Sequence, residues 1–114
     1  MGINSRAKGK KGELELSKIL REFGYEARRS VQYCGANGDA DVVGIPGIHI
    51  ECKRVERLNL DEAMAQSERD AKKDGGTPVV IHRKNRKPWR VTMNLEDFIA
   101  LLKEAGYEPG NQDT

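Results

Sequence analysis

The alternation of apolar and polar positions divides the chain into three predicted helices and five predicted strands. Leu16, Ile19, Leu20 and Phe23 recur at helical spacing and Gly24 follows as a stop, which predicts a helix over about residues 12–23. Residues 25–33 read as a polar strand, followed by a flexible loop, Cys34-Gly35-Ala36-Asn37-Gly38. Asp41-Val42-Val43 reads as a short strand and Gly44-Ile45-Pro46-Gly47 as a turn. Ile48-His49-Ile50-Glu51-Cys52-Lys53 alternates with a period of two. That period turns Ile48, Ile50 and Cys52 to one face, as core anchors, and His49, Glu51 and Lys53 outward on the other.

Asn59 and Glu62 have capping-box spacing and predict a helix over about residues 60–73. Its apolar stripe is Leu60, Ala63, Met64 and Ala71, and Gly75-Gly76 ends it. The apolar run in Thr77–His82 suits a central strand. Residues 83–87 form a basic loop, and Pro88–Met93 a further strand. Asn94 is placed to cap a last helix through about residue 104, with Leu95, Phe98, Ile99 and Leu102 on its inner face. The order helix, three strands, helix, two strands, helix predicts an α/β fold with a mixed central sheet of about five strands flanked by helices. Residues 1–11 read as a basic flexible arm, 12–106 as a single domain, and 107–114 as a polar, frayed tail.

Composition narrows the setting. Hydrophobic residues make up 37% and charged residues 33% of the 114 positions, an ordinary globular balance. No apolar run approaches the ~20 residues needed to cross a bilayer. No secretory leader is recognised, and no membrane partner is expected. Cys34 and Cys52 form no Cys-x-x-Cys pair, and Cys52 sits in an apolar alternation that suits a buried free thiol. A reduced, cytoplasmic location is the expectation.

The net charge of +2 matters less than its distribution. Arg6, Lys8, Lys10 and Lys11 open the chain without an acid among them. Arg83, Lys84, Arg86, Lys87 and Arg90 form a second acid-free block, while acids gather around Asp39–Asp41. Two basic clusters flanking an acidic centre suit a polyanion held near a metal site. Trp89, beside the second block, fits either a base-stacking residue or a core residue.

A hairpin turn centred on Pro46 would set Asp41 opposite Glu51, with Lys53 on the same face. Two crowded carboxylates need a cation between them. Magnesium takes such oxygen ligands, keeps several waters, and acidifies one of them for attack on phosphorus. Lys53 is placed to orient that water or to neutralise phosphate charge. A one-residue slip would separate the three groups. The same spacing also describes a surface hairpin with a cross-strand salt bridge.

The segments Arg6-Ala7-Lys8-Gly9-Lys10-Lys11-Gly12, the helix with Glu13, Phe23-Gly24-Tyr25, Asp41-Val42-Val43 and Glu51-Cys52-Lys53 together resemble the PD-(D/E)XK nuclease superfamily. They are most similar to archaeal-type Holliday-junction resolvases and related small phage endonucleases. The proline of the motif is missing, since Ala40 precedes Asp41. The resemblance implies a restriction-endonuclease-like fold and a magnesium-dependent (or manganese-dependent) endodeoxyribonuclease acting in DNA recombination. It implies that Asp41, Glu51 and the Cys52 backbone carbonyl hold the metal and that Lys53 assists the attacking water. It also implies an early helix glutamate in the metal shell; Glu13 fits best, with Glu15 the alternative. Asp39 is an auxiliary carboxylate or a turn residue, and Gln66 an auxiliary helix residue or a plain helix former. Branched DNA and a homodimer are the partners it implies, with phosphate contacts from Arg6, Lys8, Lys10, Lys11, Arg83, Lys84, Arg86 and Lys87. The alternatives are a phage nicking or flap nuclease with the same site, and a non-catalytic nucleic-acid-binding accessory protein.

Overall fold

The computed structural model describes residues 5–30 and 40–111. The elements, in chain order, are helix α1 (Ser5–Glu22), strands β1 (Arg28–Arg29), β2 (Val42–Val43) and β3 (Ile48–Arg54), and helix α2 (Leu60–Asp74). Strands β4 (Thr77–Arg83) and β5 (Arg90–Met93), helix α3 (Leu95–Glu104) and a 3-10 turn (Pro109–Asn111) complete them. The five strands lie side by side in sequence order. Neighbours run antiparallel except β3 and β4, which are parallel and joined by the α2 crossover. This is the mixed five-stranded α/β architecture predicted.

The helix caps follow from local chemistry. Glu62 N–H donates to Asn59 Oδ1 at 3.1 Å, so Asn59 satisfies one of the free donors at the start of α2. Gly75 closes α2 in the left-handed conformation, at φ 80°. Asn94 stands at the start of α3 but makes no capping bond; its side chain donates to Glu68 on α2 instead.

The core lies between α1 and one face of the sheet. Val42, Ile50, Cys52, Val79 and Ile81 pack there with Leu16 and Ala27, bordered by Leu20, Ile45, Ile48, Met93 and Trp89. Trp89 is therefore a packing residue, and its Nε1–H donates to Glu15 at 3.3 Å. Helix α2 covers the opposite face with small residues, Ala63, Ser67 and Ala71. Ser67 Oγ donates to the Val79 carbonyl at 3.0 Å, fixing α2 to β4. This burial differs from the expected stripe, since Leu60 and Met64 are only half-buried.

Four further expectations are corrected. Helix α1 begins at Ser5, so from there on the basic stretch read as a flexible arm forms the first turns of a helix. Its Arg, Ala and Lys residues are good helix formers, and charge does not prevent a helix. Strand β1 spans Arg28–Arg29 among the described residues: 25–27 and Ser30 of the predicted strand lie outside it, and 31–33 lie outside the described residues. The β3 face of His49 and Glu51 does not face solvent but is buried, 1% and 2% exposed, because α2 lies over it. Helix α3 buries none of its side chains, so its expected inner face is open: Leu95 is 72% and Phe98 46% exposed, and Ile99 is exposed too. Among the described residues no helix is long and apolar enough to cross a membrane. Cys52 is a buried free thiol, while Cys34 lies outside the described residues.

Two glycines let backbones pass closely. A Cβ on Gly12 would meet Arg54 Cβ at 2.9 Å, where α1 crosses β3. Gly44 has φ 122°, and a Cβ there would meet the Glu26 carbonyl oxygen at 2.4 Å. Gly44→Ala is therefore expected to lose about 2–4 kcal/mol of stability. Thermal unfolding should show a midpoint lower by roughly 10 °C or more. An unchanged midpoint would mean that β1 and β2 do not approach this closely.

Candidate active site

The β2–β3 hairpin builds the site. Val42 pairs with Ile50, which sets Asp41 across from Glu51 as the turn geometry predicts. Asp41 grips β3 on both sides of Glu51. Its N–H donates to the Ile50 carbonyl at 2.9 Å, and its Oδ2 accepts from the Cys52 N–H at 2.9 Å. Lys53 Nζ lies 3.4 Å from Glu51 Oε2. The two carboxylates and the ammonium expected together are therefore brought together, held by backbone rather than by chance surface pairing.

Helix α1 contributes the third acid. Glu13 pairs with Arg29 of β1 at 2.7 Å and lies close enough to Asp41 to feel its charge. Glu15 points elsewhere: it meets Arg54 at 3.1 Å, Arg83 at 3.5 Å and the Trp89 indole. The helix acid near Asp41 is Glu13. Asp39 lies outside the described residues. Gln66 is half-buried on α2, one turn before Asp70.

Burial raises all three carboxyls, and the Asp41 charge raises Glu13 and Glu51 further. Burial pushes Glu51 up to about 7; the Asp41 charge adds to this and Lys53 works against it. Burial also raises Asp41, opposed by the Cys52 N–H and by Lys53. Glu13 rises through burial and the Asp41 charge, opposed by Arg29. The Cys52 thiol is raised by burial and by Asp41, which keeps it protonated and unsuited to bind metal through sulfur.

Two residues near the site carry no motif in the sequence. His49, Glu51 and Asp70 each offer a ligand atom, all within 4.8 Å of one another. Glu13, Asp41 and Glu51 do not form such a closed group among the described residues. The alternation on β3 shows His49 on the Glu51 face, but only the placement of α2 brings Asp70 to it. Buried acids whose charge Lys53 and Arg29 offset only in part suit a divalent ion in chemical terms.

The basic residues divide. Lys10 and Lys11 are exposed on α1, while the side chains of Arg6 and Lys8 lie outside the described set. His82, Arg83, Lys84, Lys87, Pro88 and Arg90 line a cavity of about 230 Å³ at the β4–β5 hairpin. Lys84, Arg86 and Lys87 are exposed, whereas Arg83 is partly engaged by Glu15 and lies over the Trp89 ring. Parallel pairing sets Lys53 beside His82 and Arg54 beside Arg83, so the basic hairpin begins where the active strand ends.

The raised Glu51 carboxyl has a measurable consequence. Between about 4.5, its ordinary value, and about 7, the folded chain holds a proton that the unfolded chain has released. Its contribution to stability therefore falls as pH rises through that window. In chelator-treated protein, Glu51→Gln should match the wild type near pH 4.5 and exceed it at pH 8 by on the order of 1–3 kcal/mol. Denaturant unfolding at both pH values checks this, and a constant difference between the two proteins would contradict it.

Comparison with known proteins addresses the family and the fold. A family described as "Phage putative PDDEXK endonuclease" matches residues 4–108. No curated protein matches the chain significantly. Among solved structures, the fold is similar to that of Archaeoglobus fulgidus Hjc, a Holliday junction resolvase from an archaeal hyperthermophile. That similarity has a TM-score of 0.58 and 25% identity, and covers 75% of this chain and 72% of the other. The restriction-endonuclease-like fold, the acid–acid–lysine hairpin and a family match over nearly the whole length lead to one conclusion: the chain belongs to the phage PDDEXK endonuclease family.

Proposed function

We propose that this protein is a magnesium-dependent DNA endonuclease that cuts branched DNA, in the manner of a Holliday-junction resolvase. The observation that carries the reading is the clamp of Asp41 around Glu51, with Lys53 3.4 Å from the Glu51 carboxylate. Asp41, Glu51, Glu13 and the Cys52 carbonyl would hold the ion. A bound magnesium supplies an acidified water and a counter-charge for the phosphate. The chain's own residues do the rest. Asp41, fixed by backbone on both sides of Glu51, sets the ligand positions. Burial keeps competing bulk water from the Glu51 side. Lys53, one-third exposed, orients the attacking water or neutralises a phosphate oxygen.

DNA phosphates would be held by Lys10 and Lys11, with Arg6 and Lys8 before them on α1, and by the cluster Lys84, Arg86, Lys87 and Arg90 at the β4–β5 hairpin. The Holliday junction named for the similar Archaeoglobus protein supports a branched substrate here. A junction presents two symmetry-related strands, which suits a homodimer with one site for each. The open apolar face of α3, with Leu95 and Phe98, supports that assembly. The free thiol at Cys52 is compatible with a reduced, cytoplasmic setting.

Cleavage of a labelled four-way junction beside a matched linear duplex tests the activity, with magnesium or chelator present. Paired nicks in the junction alone, lost on chelation, are expected. Lys53→Ala should slow them 10²–10⁴-fold. Single nicks would favour a nickase instead, and tight binding without cleavage an accessory protein. Phe98→Glu should convert a dimer to monomer in light scattering without altering the fold by circular dichroism. A dimer that survives this change would place the interface away from α3.

A further inference from the structure

His49 is held at one nitrogen and, among the described residues, has no partner at the other. Its Nδ1 lies 2.7 Å from Asp74 Oδ2, and the same carboxylate accepts from the Gly76 N–H through Oδ1 at 2.9 Å. An ionised carboxylate only accepts, so Nδ1 carries the proton and donates it. With Nδ1 turned to Asp74, Nε2 is the ring nitrogen left to meet a ligand. Among the described residues that atom has no hydrogen-bond partner, and the His49 side chain is 0% exposed. A buried polar nitrogen without a partner is unfavourable, and a cation is one group that satisfies it.

Glu51 and Asp70 supply what such a cation needs. One ligand atom from each of His49, Glu51 and Asp70 lies within 4.8 Å of the other two. Since Asp74 occupies Nδ1, Nε2 is the nitrogen left for this cluster. We propose that His49, Glu51 and Asp70 form a second divalent-cation site, on the α2 side of β3. Its sharing of Glu51 with the first ion rests on the reading under Proposed function; the His49–Asp70 pair does not.

Three features suit this site to a metal. Bonds of about 2.1 Å in an octahedron place neighbouring donors about 3.0–4.2 Å apart, so only a small closure is needed. A carboxylate behind a histidine fixes its tautomer and raises its basicity, which is the part Asp74 plays here. Asp70 is half-buried and keeps contact with solvent, which gives an ion a way in. One imidazole and two carboxylates favour manganese, cobalt or zinc over magnesium. An ion held there would add counter-charge for a phosphate near Glu51.

Equilibrium dialysis of the full chain against Mn²⁺, with bound metal counted by atomic absorption, tests the site without reference to cleavage. The proteins compared are wild type, Asp70→Asn, Asp41→Asn and Asp74→Asn. Asp70→Asn is isosteric at a half-buried position, and an unchanged melting temperature confirms that it folds. Two ions in the wild type are expected, one of them lost in Asp70→Asn. Asp74→Asn should weaken that same ion 10–100-fold. One ion that Asp70→Asn removes and Asp41→Asn retains would support this site and count against Asp41 as a ligand. One ion that Asp41→Asn removes and Asp70→Asn retains would overturn this site and leave the proposed function standing. An equal count in all four proteins, including none, would also overturn it.

Discussion

Asp41 holds the hairpin on which the site depends through two hydrogen bonds to the backbone of β3. Strand β2 is described over only Val42–Val43, too short for its ladder to fix the pairing by itself. Strand side chains alternate with a period of two, so a shift of one residue would send Asp41 toward the core. The bonds to the Ile50 carbonyl and the Cys52 N–H oppose that shift. Val42, fully buried beside Ile50, opposes it from the other face. Gly44 then lets the backbone pass Glu26 and Ala27 where no side chain fits. The residue proposed to bind metal is thus also the residue that sets the strand register.

The second constraint is electrostatic. The chain buries Glu51 and His49 and half-buries Glu13, Asp41 and Asp70, an arrangement that weakens a small domain. Lys53 and Arg29 offset part of this charge. The sheet face under α2 is consequently polar near the site, with Val80 as its apolar floor. This explains why α2 meets it with Ala63, Ser67 and Ala71 rather than with leucines. Small side chains let the helix come close enough for Asp70 and Asp74 to reach His49. Stability is given up where chemistry needs crowded acids, a common compromise in enzymes.

What the sequence made legible follows from how local each feature is. The period of β3, the caps at Asn59 and Gly75, and the opposition of Asp41 and Glu51 depend on residues near one another in the chain. Pairing through a four-residue turn leaves few registers, so the acid pair could be read directly. The preference for Glu13 over Glu15 rested on resemblance alone, and the structure gives it a physical basis in the Arg54 and Arg83 partners of Glu15. The contact of His49 with Asp70 was not legible, because it depends on the rotation of α2 about its own axis. Three small buried residues give that rotation almost no hydropathy signal. The helical character of Ser5–Lys11 was obscured by its charge, although its residue types are good helix formers.

Helix α3 shows the limit of hydropathy from the other direction. An apolar stripe says that a face is to be covered, but not whether the covering comes from the same chain. Here Leu95, Phe98 and Ile99 remain open, and so does Val91 on the adjacent strand. Strand β5 is a sheet edge, yet Arg90 lies exposed on it, and an edge charge discourages addition of a further strand. Covering by a helical surface fits these residues better than extension of the sheet. The edge is also close to the chemistry in structural terms: Thr92 pairs with Val80, and Val80 pairs with Glu51. A second copy seated on β5 as well as on α3 would be joined to Glu51 through two hydrogen-bonded strand pairs. Two active hairpins linked in that way would keep a fixed separation, which is what coordinated cutting of two symmetry-related strands requires.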